Sequence, residues 1–287
     1  MINFLKAKDP DKLSGYYEEI KHEKHIFIYS VCGRTSSTAL QRILNSSDRV
    51  CIYGEPHYLV DDIIKLLNDL KKLDRDFKKR RDLAHFDNLK KSFRTGDHTL
   101  IVENAIRDLE EPISLLKSAL ATSFRPVNNV KRSGFKEIRI RSVETLAGLK
   151  ELFPKSCIIF FFRDPLEQWR SIKAFGRHDY PGDVFYKMAR NIDLFLEEYD
   201  KLATIYMKFS ADFIENKLLF DKEKLYRLLH FLGIDHVDES LIGNKIRETP
   251  NKKEITHEEN KKILDSKAYR DYQKMVELSK KFISKIS

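Results

Sequence analysis

The chain has 287 residues, is 41% hydrophobic and 34% charged, and carries a formal net charge of +9. This fits one large domain with a sizeable core and suggests an anionic partner, without saying whether that is a nucleotide, a nucleic acid or a membrane. Three cysteines without CxxC spacing argue against a disulfide framework or zinc site. With no apolar signal core at Met1–Lys6 and no run near the ~20 residues a spanning helix needs, a soluble cytoplasmic protein is expected.

In chain order, His25–Val31 reads as a buried strand, Cys32–Ser37 as a small polar loop and Thr38–Leu44 as a helix. Val50–Tyr53 is a second strand, ended by the turn Gly54-Glu55-Pro56. The densely charged stretch from Asp61 to about Lys91 predicts a helical insertion, with Lys71–Arg81 as a solvated face. A short strand at Leu100–Val102, a helix at Pro112–Leu120, a strand at Gly134–Ile140 and a helix at Thr145–Leu152 follow. Cys157–Phe162 (CIIFFF) is the strongest strand signal, suited to burial on both faces of a parallel sheet. Helices are expected at Leu166–Phe175, Asp183–Lys208, Lys222–Leu232 (ended by Gly233) and through Thr256–Ser287. Alternating strands and helices imply an α/β fold of three layers, P-loop-like, with a mainly parallel central sheet. Cys32 and Cys157 fall in apolar runs and read as small buried residues.

The loop Gly33-Arg34-Thr35-Ser36-Ser37-Thr38 joins the first strand to the first helix. Such a turn aims backbone N–H groups and a helix N-terminus at one point, which suits an anion. Arg34 adds a forked cation, and the hydroxyls add donors. GxxxxGK[ST] is absent, so this is not a Walker A loop. The competing reading is a Ser/Thr turn with Ser37 or Thr38 as helix cap. A second motif follows the fourth strand: Arg163-Asp164-Pro165, with Ser171 eight residues after Arg163. Arg163 is expected at the carboxyl end of a central strand, where open α/β sheets bind ligands. Ser171 falls about two turns along the next helix, facing its start. Asp164 as a simple helix cap beside an unrelated surface Arg is the alternative.

Together these motifs resemble the sulfotransferases that use 3′-phosphoadenosine 5′-phosphosulfate (PAPS). That family has a strand-loop-helix 5′-phosphosulfate loop of the form P-[KR]-[ST]-G-[ST]-T and a 3′-phosphate motif R-[DN]-P-x-x-x-x-x-S. Gly33 stands for the usual Pro and Ser36 for the usual Gly; Ser36 is expected to alter the backbone path, since serine visits positive φ reluctantly. Phe135-Lys136-Glu137 resembles the Lys-Glu strand of bacterial members, Phe209-Ser210-Ala211-Asp212 a degenerate YEDL strand, and His230-Phe231-Leu232-Gly233 the FLGL helix end.

The resemblance implies one domain over residues 1–287, with the insertion at about 59–98 and a helical C-terminal segment at about 256–287. It implies in-line sulfuryl transfer from PAPS to a hydroxyl or amine of an acceptor, with no metal required; the lack of a membrane-anchor signal favours a small-molecule acceptor such as a secondary metabolite or sugar. Gly33, Arg34, Thr35, Ser36, Ser37, Thr38, Arg163 and Ser171 are the donor-binding candidates, and Arg34 and Lys136 the catalytic cations. Gly54-Glu55-Pro56-His57-Tyr58 resembles the GEP segment of bacterial members, making Glu55 the first choice of base. A turn carboxylate capping a helix that starts near Pro56 is the alternative reading. His57 and His98 are rival bases, and Glu103 could face the same cleft. Arg247 and Lys252-Lys253 precede the C-terminal helices, and Trp169 reads as core rather than an adenine platform. The competing functions are a P-loop-like small-molecule kinase and a non-catalytic basic nucleotide- or nucleic-acid-binding protein; no RNA motif or membrane segment speaks for a nucleic-acid or membrane partner. The acceptor's identity and the oligomeric state are not legible.

Overall fold

A computed structural model describes residues 17–83, 109–124, 130–175, 187–209, 212–243 and 254–286, the side chains of 77–83 excepted. The expected strand at Leu100–Val102, together with His98, Glu103, Arg247 and Lys252-Lys253, lies outside the described residues. The chain divides into two compact units: Met1–His22 with Leu59–Ser123, and Glu23–Tyr58 with Phe124–Ser287.

The larger unit holds a five-stranded sheet. Its strands are β1 (Ile26–Ser30), β2 (Val50–Tyr53), β3 (Arg132–Glu137), β4 (Cys157–Phe162) and β5 (Asp212–Glu215), ordered β2-β3-β1-β4-β5. Every pairing is parallel, as the alternation of elements predicts. All carboxyl ends therefore lie along one edge. The chain leaves β1 toward β2 on one side and β4 toward β5 on the other, so the strand order switches between β1 and β4. Crevices for ligands form at such a switch.

Register explains the composition of each face. Ile28 aligns with Lys136 and Ile159, and Ile159 with Asp212. On that face Ile26, Ile28, Ile52, Ile159, Phe161 and Ile214 pack with Leu40, Ile43 and Leu44 of α1 (Ser37–Asn45). Leu225, Leu228 and Leu229 of α7 (Lys222–Phe231) join the same cluster. The opposite face is aromatic: Phe27, Tyr29, Phe135, Phe160 and Phe213 meet Phe124, Phe153 and Tyr206, with Phe160 stacked on Tyr206 at 4.1 Å. Helix α6 (Ile192–Phe209) supplies Tyr206, and α4 (Val143–Leu152) leads to Phe153. Both faces are thus covered by helices, the three layers read from the sequence.

Several boundaries differ from expectation. Helix α6 starts at Ile192 rather than Asp183, because Asn191 Oδ1 accepts the N–H groups of Asp193 (3.0 Å) and Leu194 (3.3 Å) and so caps the helix there. Strand β3 ends at Glu137 rather than Ile140, because the Glu137 carboxylate takes the next two backbone N–H groups. The final helical stretch is two helices, α8 (His257–Asp265) and α9 (Lys267–Lys285), since Ser266 is extended and its side chain caps Tyr269. Strand β5 lies at Asp212–Glu215; of the YEDL-like stretch expected at Phe209–Asp212, residues 210 and 211 lie outside the described residues.

The smaller unit contains α2 (Leu59–Leu83) and α3 (Glu110–Thr122). Helix α2 buries Val60, Ile64 and Leu67, one stripe at helical spacing, and leaves Lys72, Arg75 and Asp76 exposed. The ring of Tyr17 lies 5.4 Å from the Lys117 ammonium.

Candidate active site

The loop after β1 is built from alternating left-handed residues: Cys32 at φ 60°, Arg34 at φ 65° and Ser36 at φ 75°. Alternation of this kind turns successive amides toward one concavity. Ser36 therefore keeps a left-handed path instead of changing it, at a strain of roughly 1–2 kcal/mol for a residue with a Cβ. It occupies the N-cap of α1 yet makes no side-chain cap bond. The hydroxyls of this turn thus do not serve the simple capping role, and the first amides of α1 keep their donor capacity. Thr35 is fully buried, and its Oγ1 has no hydrogen-bond partner among the described residues. An orphaned hydroxyl inside an amide-lined turn fits an anionic oxygen.

The second motif converges on this loop. Helix α5 (Pro165–Phe175) starts behind Asp164, whose Oδ1 accepts the Leu166 N–H at 2.8 Å. Asp164 is the helix cap, but the neighbouring Arg is not unrelated: Arg163 Nη1 donates to the Arg34 carbonyl at 3.3 Å. Arg34 Nε in turn donates to Ser171 Oγ at 3.1 Å. Both motifs thus meet at the switch between β1 and β4. Burial lowers the pKa of Arg163, with Glu167 3.4 Å away opposing that shift.

Gln168 was not singled out in the sequence, although it lies between Arg163 and Ser171. Fully buried, it donates from Nε2 to the carbonyls of Val31 (2.8 Å) and Gly33 (2.6 Å), tying the loop to α5. Tyr199 of α6 donates its hydroxyl to the Arg163 carbonyl at 3.1 Å. Trp169 is core as expected: it stacks on Phe195 at 5.4 Å, and its Nε1 donates to Glu259 of α8. Burial pushes the Cys32 thiol well up, so it is no ready nucleophile.

On the other side of β1, the Gly54–Tyr58 segment meets the end of β3. Lys136 Nζ forms an ion pair with Glu55 Oε1. Lys136 shares the sheet face covered by α1, the helix whose N-terminus forms the loop. Glu55 does not cap a helix, because α2 begins only at Leu59; its Oε2 has no partner among the described residues. Glu137, buried on the opposite face, accepts the His57 N–H at 2.7 Å, the Ile138 N–H at 2.8 Å and the Arg139 N–H at 3.1 Å. His57 and the following Tyr58 are left-handed, at φ 46° and 55°. Burial raises the Glu137 carboxyl pKa, opposed in part by the Ile138 N–H and reinforced by nearby Glu55. Arg139 Nη1 lies 2.6 Å from His57 Nδ1. A guanidinium can only donate, so Nδ1 accepts and the neutral ring carries its proton on Nε2.

Fold and loop together define a parallel α/β protein with an anion-receptive turn at its strand-order switch. The model of the Sulfotransferase family matches residues 26–238, and the chain belongs to that family. Its general chemistry is therefore sulfuryl transfer. No curated protein matches the chain. No helix among the described residues is long and apolar enough to cross a membrane.

Proposed function

We propose that the chain transfers the sulfuryl group of PAPS to a hydroxyl or amine of a small-molecule acceptor, in the cytoplasm and as one sulfotransferase domain. The observation that carries this reading is the convergence of Arg34, Ser171 and Arg163 on a loop whose amides and buried Thr35 hydroxyl are donors. Donors of this kind fit a ligand with separate phosphate groups. Arg34, Thr35, Ser37, Thr38 and the loop amides would hold the 5′-phosphosulfate end, and Arg163 and Ser171 the 3′-phosphate. When bound, PAPS supplies an activated sulfuryl group and leaves as 3′,5′-adenosine bisphosphate.

The protein's own part is positioning and charge stabilisation. Arg34 and Lys136 are the fixed cations beside the transferring oxygens. Glu55 is the base: Lys136 holds Oε1, leaving Oε2 to accept the acceptor's proton as its oxygen or nitrogen bonds to sulfur. His57 is the weaker choice, because with Nδ1 accepting from Arg139 its Nε2 carries the proton. The test is Glu55→Gln, measured both by nucleotide binding and by sulfuryl transfer. Binding should stay within about twofold while turnover falls by about 10²-fold or more, in the range of general-base loss. Unchanged turnover would remove Glu55 from this role.

A further inference from the structure

Beyond Ile138 and Ile140, both buried, the chain places Arg139 and Arg141 beside the Gly54–Tyr58 segment. Arg139 is half-buried, and no carboxylate lies within ion-pair distance of it among the described residues. Among the described residues its one side-chain hydrogen bond is to His57 Nδ1, which uses a single guanidinium N–H. The other N–H groups have no protein acceptor there. His57 is exposed and, by the tautomer that Arg139 imposes, has Nε2–H as a donor. Arg141 lies over the ring of Tyr58, 4.2 Å from its centroid, adding a second cation.

The nearby carboxylates do not neutralise Arg139. Glu55 is engaged by Lys136, and Glu137 is turned onto three backbone N–H groups. Arg139 and His57 thus present donors that meet no acceptor among the described residues, one residue from Pro56 and two from Glu55 at the His57 end. Such donors complement an oxyanion, and a forked guanidinium does so in two-pronged fashion.

We infer that Arg139 and His57 form an anion subsite beside Glu55, so that the acceptor carries a carboxylate, phosphate or sulfate group in addition to the group it presents for sulfation. The inference rests on the proposed donor site and on Glu55 as base, and it narrows the acceptor from any hydroxyl or amine compound to an anionic one. Arg139 and His57 bind this group and take no part in moving the proton.

The test has two arms. In the first, arginine modification by phenylglyoxal is mapped by mass spectrometry with and without inorganic phosphate, both in the presence and absence of saturating 3′,5′-adenosine bisphosphate. Phosphate should slow labelling of Arg139 by about tenfold with the nucleotide present, as expected for charge-assisted hydrogen bonds, and leave exposed Arg75 unaffected. Equal labelling of Arg139 with and without phosphate overturns the subsite. Because the nucleotide is varied independently, failure of the donor reading shows separately, as absent protection of Arg34 and Arg163. Phosphate protection of Arg139 without any nucleotide binding keeps the anion site but overturns its role in acceptor binding.

In the second arm, transfer of labelled sulfuryl is compared within charged and neutral acceptor pairs: 4-hydroxybenzoate with its methyl ester, and a sugar phosphate with the free sugar. The charged member should be preferred, and Arg139→Gln should reduce that preference about tenfold while Arg139→Lys restores part of it. Preference for the neutral member overturns the inference. If neither pair reacts, the labelling arm decides. The exposed Lys131→Gln serves as the control for a general loss of positive charge.

Discussion

Two residues carry strain or charge that a simpler side chain would not. Ser36 holds a left-handed backbone at φ 75° with no capping bond in return. Ser36→Gly removes the Cβ clash, so chemical denaturation should show a gain of about 1 kcal/mol with nucleotide affinity retained. A loss of stability would mean that the serine hydroxyl contributes more than the strain costs. Glu137 gives a pH signature. Its carboxyl is raised above the ordinary 4.5, so the folded chain holds that proton more tightly than the unfolded chain. Its contribution is present below the unfolded value and is lost as pH rises through the folded one. In melts taken upward from about pH 4.5, the wild type should lose stability relative to Glu137→Gln. A difference that does not change with pH contradicts the burial argument. Residues of this kind were hard to read in the sequence. Gln168 bonds the carbonyls of Val31 and Gly33, and Glu137 takes the His57 N–H, and nothing local in the sequence marks a side chain whose partner is a distant carbonyl or amide.

Strands and helices were more legible, because their signals are local. CIIFFF specifies a strand buried on both faces, and the Arg163–Ser171 spacing places Ser171 about two turns along the next helix, on the side that faces its start. The fold then brings Ser171 to Arg34, a contact no local pattern contains. Helix and strand ends were read less well where one side chain decides them: Asn191 starts α6, Glu137 ends β3 and Ser266 divides the C-terminal helices. The pairing of Glu55 with Lys136 depends on β2 lying beside β3, which strand order alone reveals. That order also exposes a steric requirement. A Cβ at Gly134 would lie 1.8 Å from the backbone oxygen of Ile26, the residue paired with it on β1. Backbone cannot yield as a side chain tip can. Gly134→Ala should therefore destabilise the chain by about 3 kcal/mol, at the upper end for overpacking, and displace Lys136. A melting temperature equal to wild type would show that β3 can shift without loss.

Taken as a whole, the molecule is a basic parallel α/β protein with two clusters of polar side chains at the carboxyl ends of the strands, which we propose as donor and acceptor sites. Arg34, Arg163 and Ser171 gather at the β1/β4 switch; Glu55, Lys136, His57 and Arg139 gather at the end of β3. The net charge of +9 suits an anionic ligand, and association with the proposed nucleotide should weaken as salt screens it. Family membership fixes the general chemistry, and the donor nucleotide is the point on which the rest of the proposal turns. Calorimetric titration of the wild type, Arg34→Ala and Arg163→Ala with 3′,5′-adenosine bisphosphate measures it most directly. The wild type should bind, and each variant should bind at least about tenfold more weakly, as loss of a charge-assisted phosphate contact requires. No measurable affinity in the wild type, or equal affinity in all three proteins, would contradict the account.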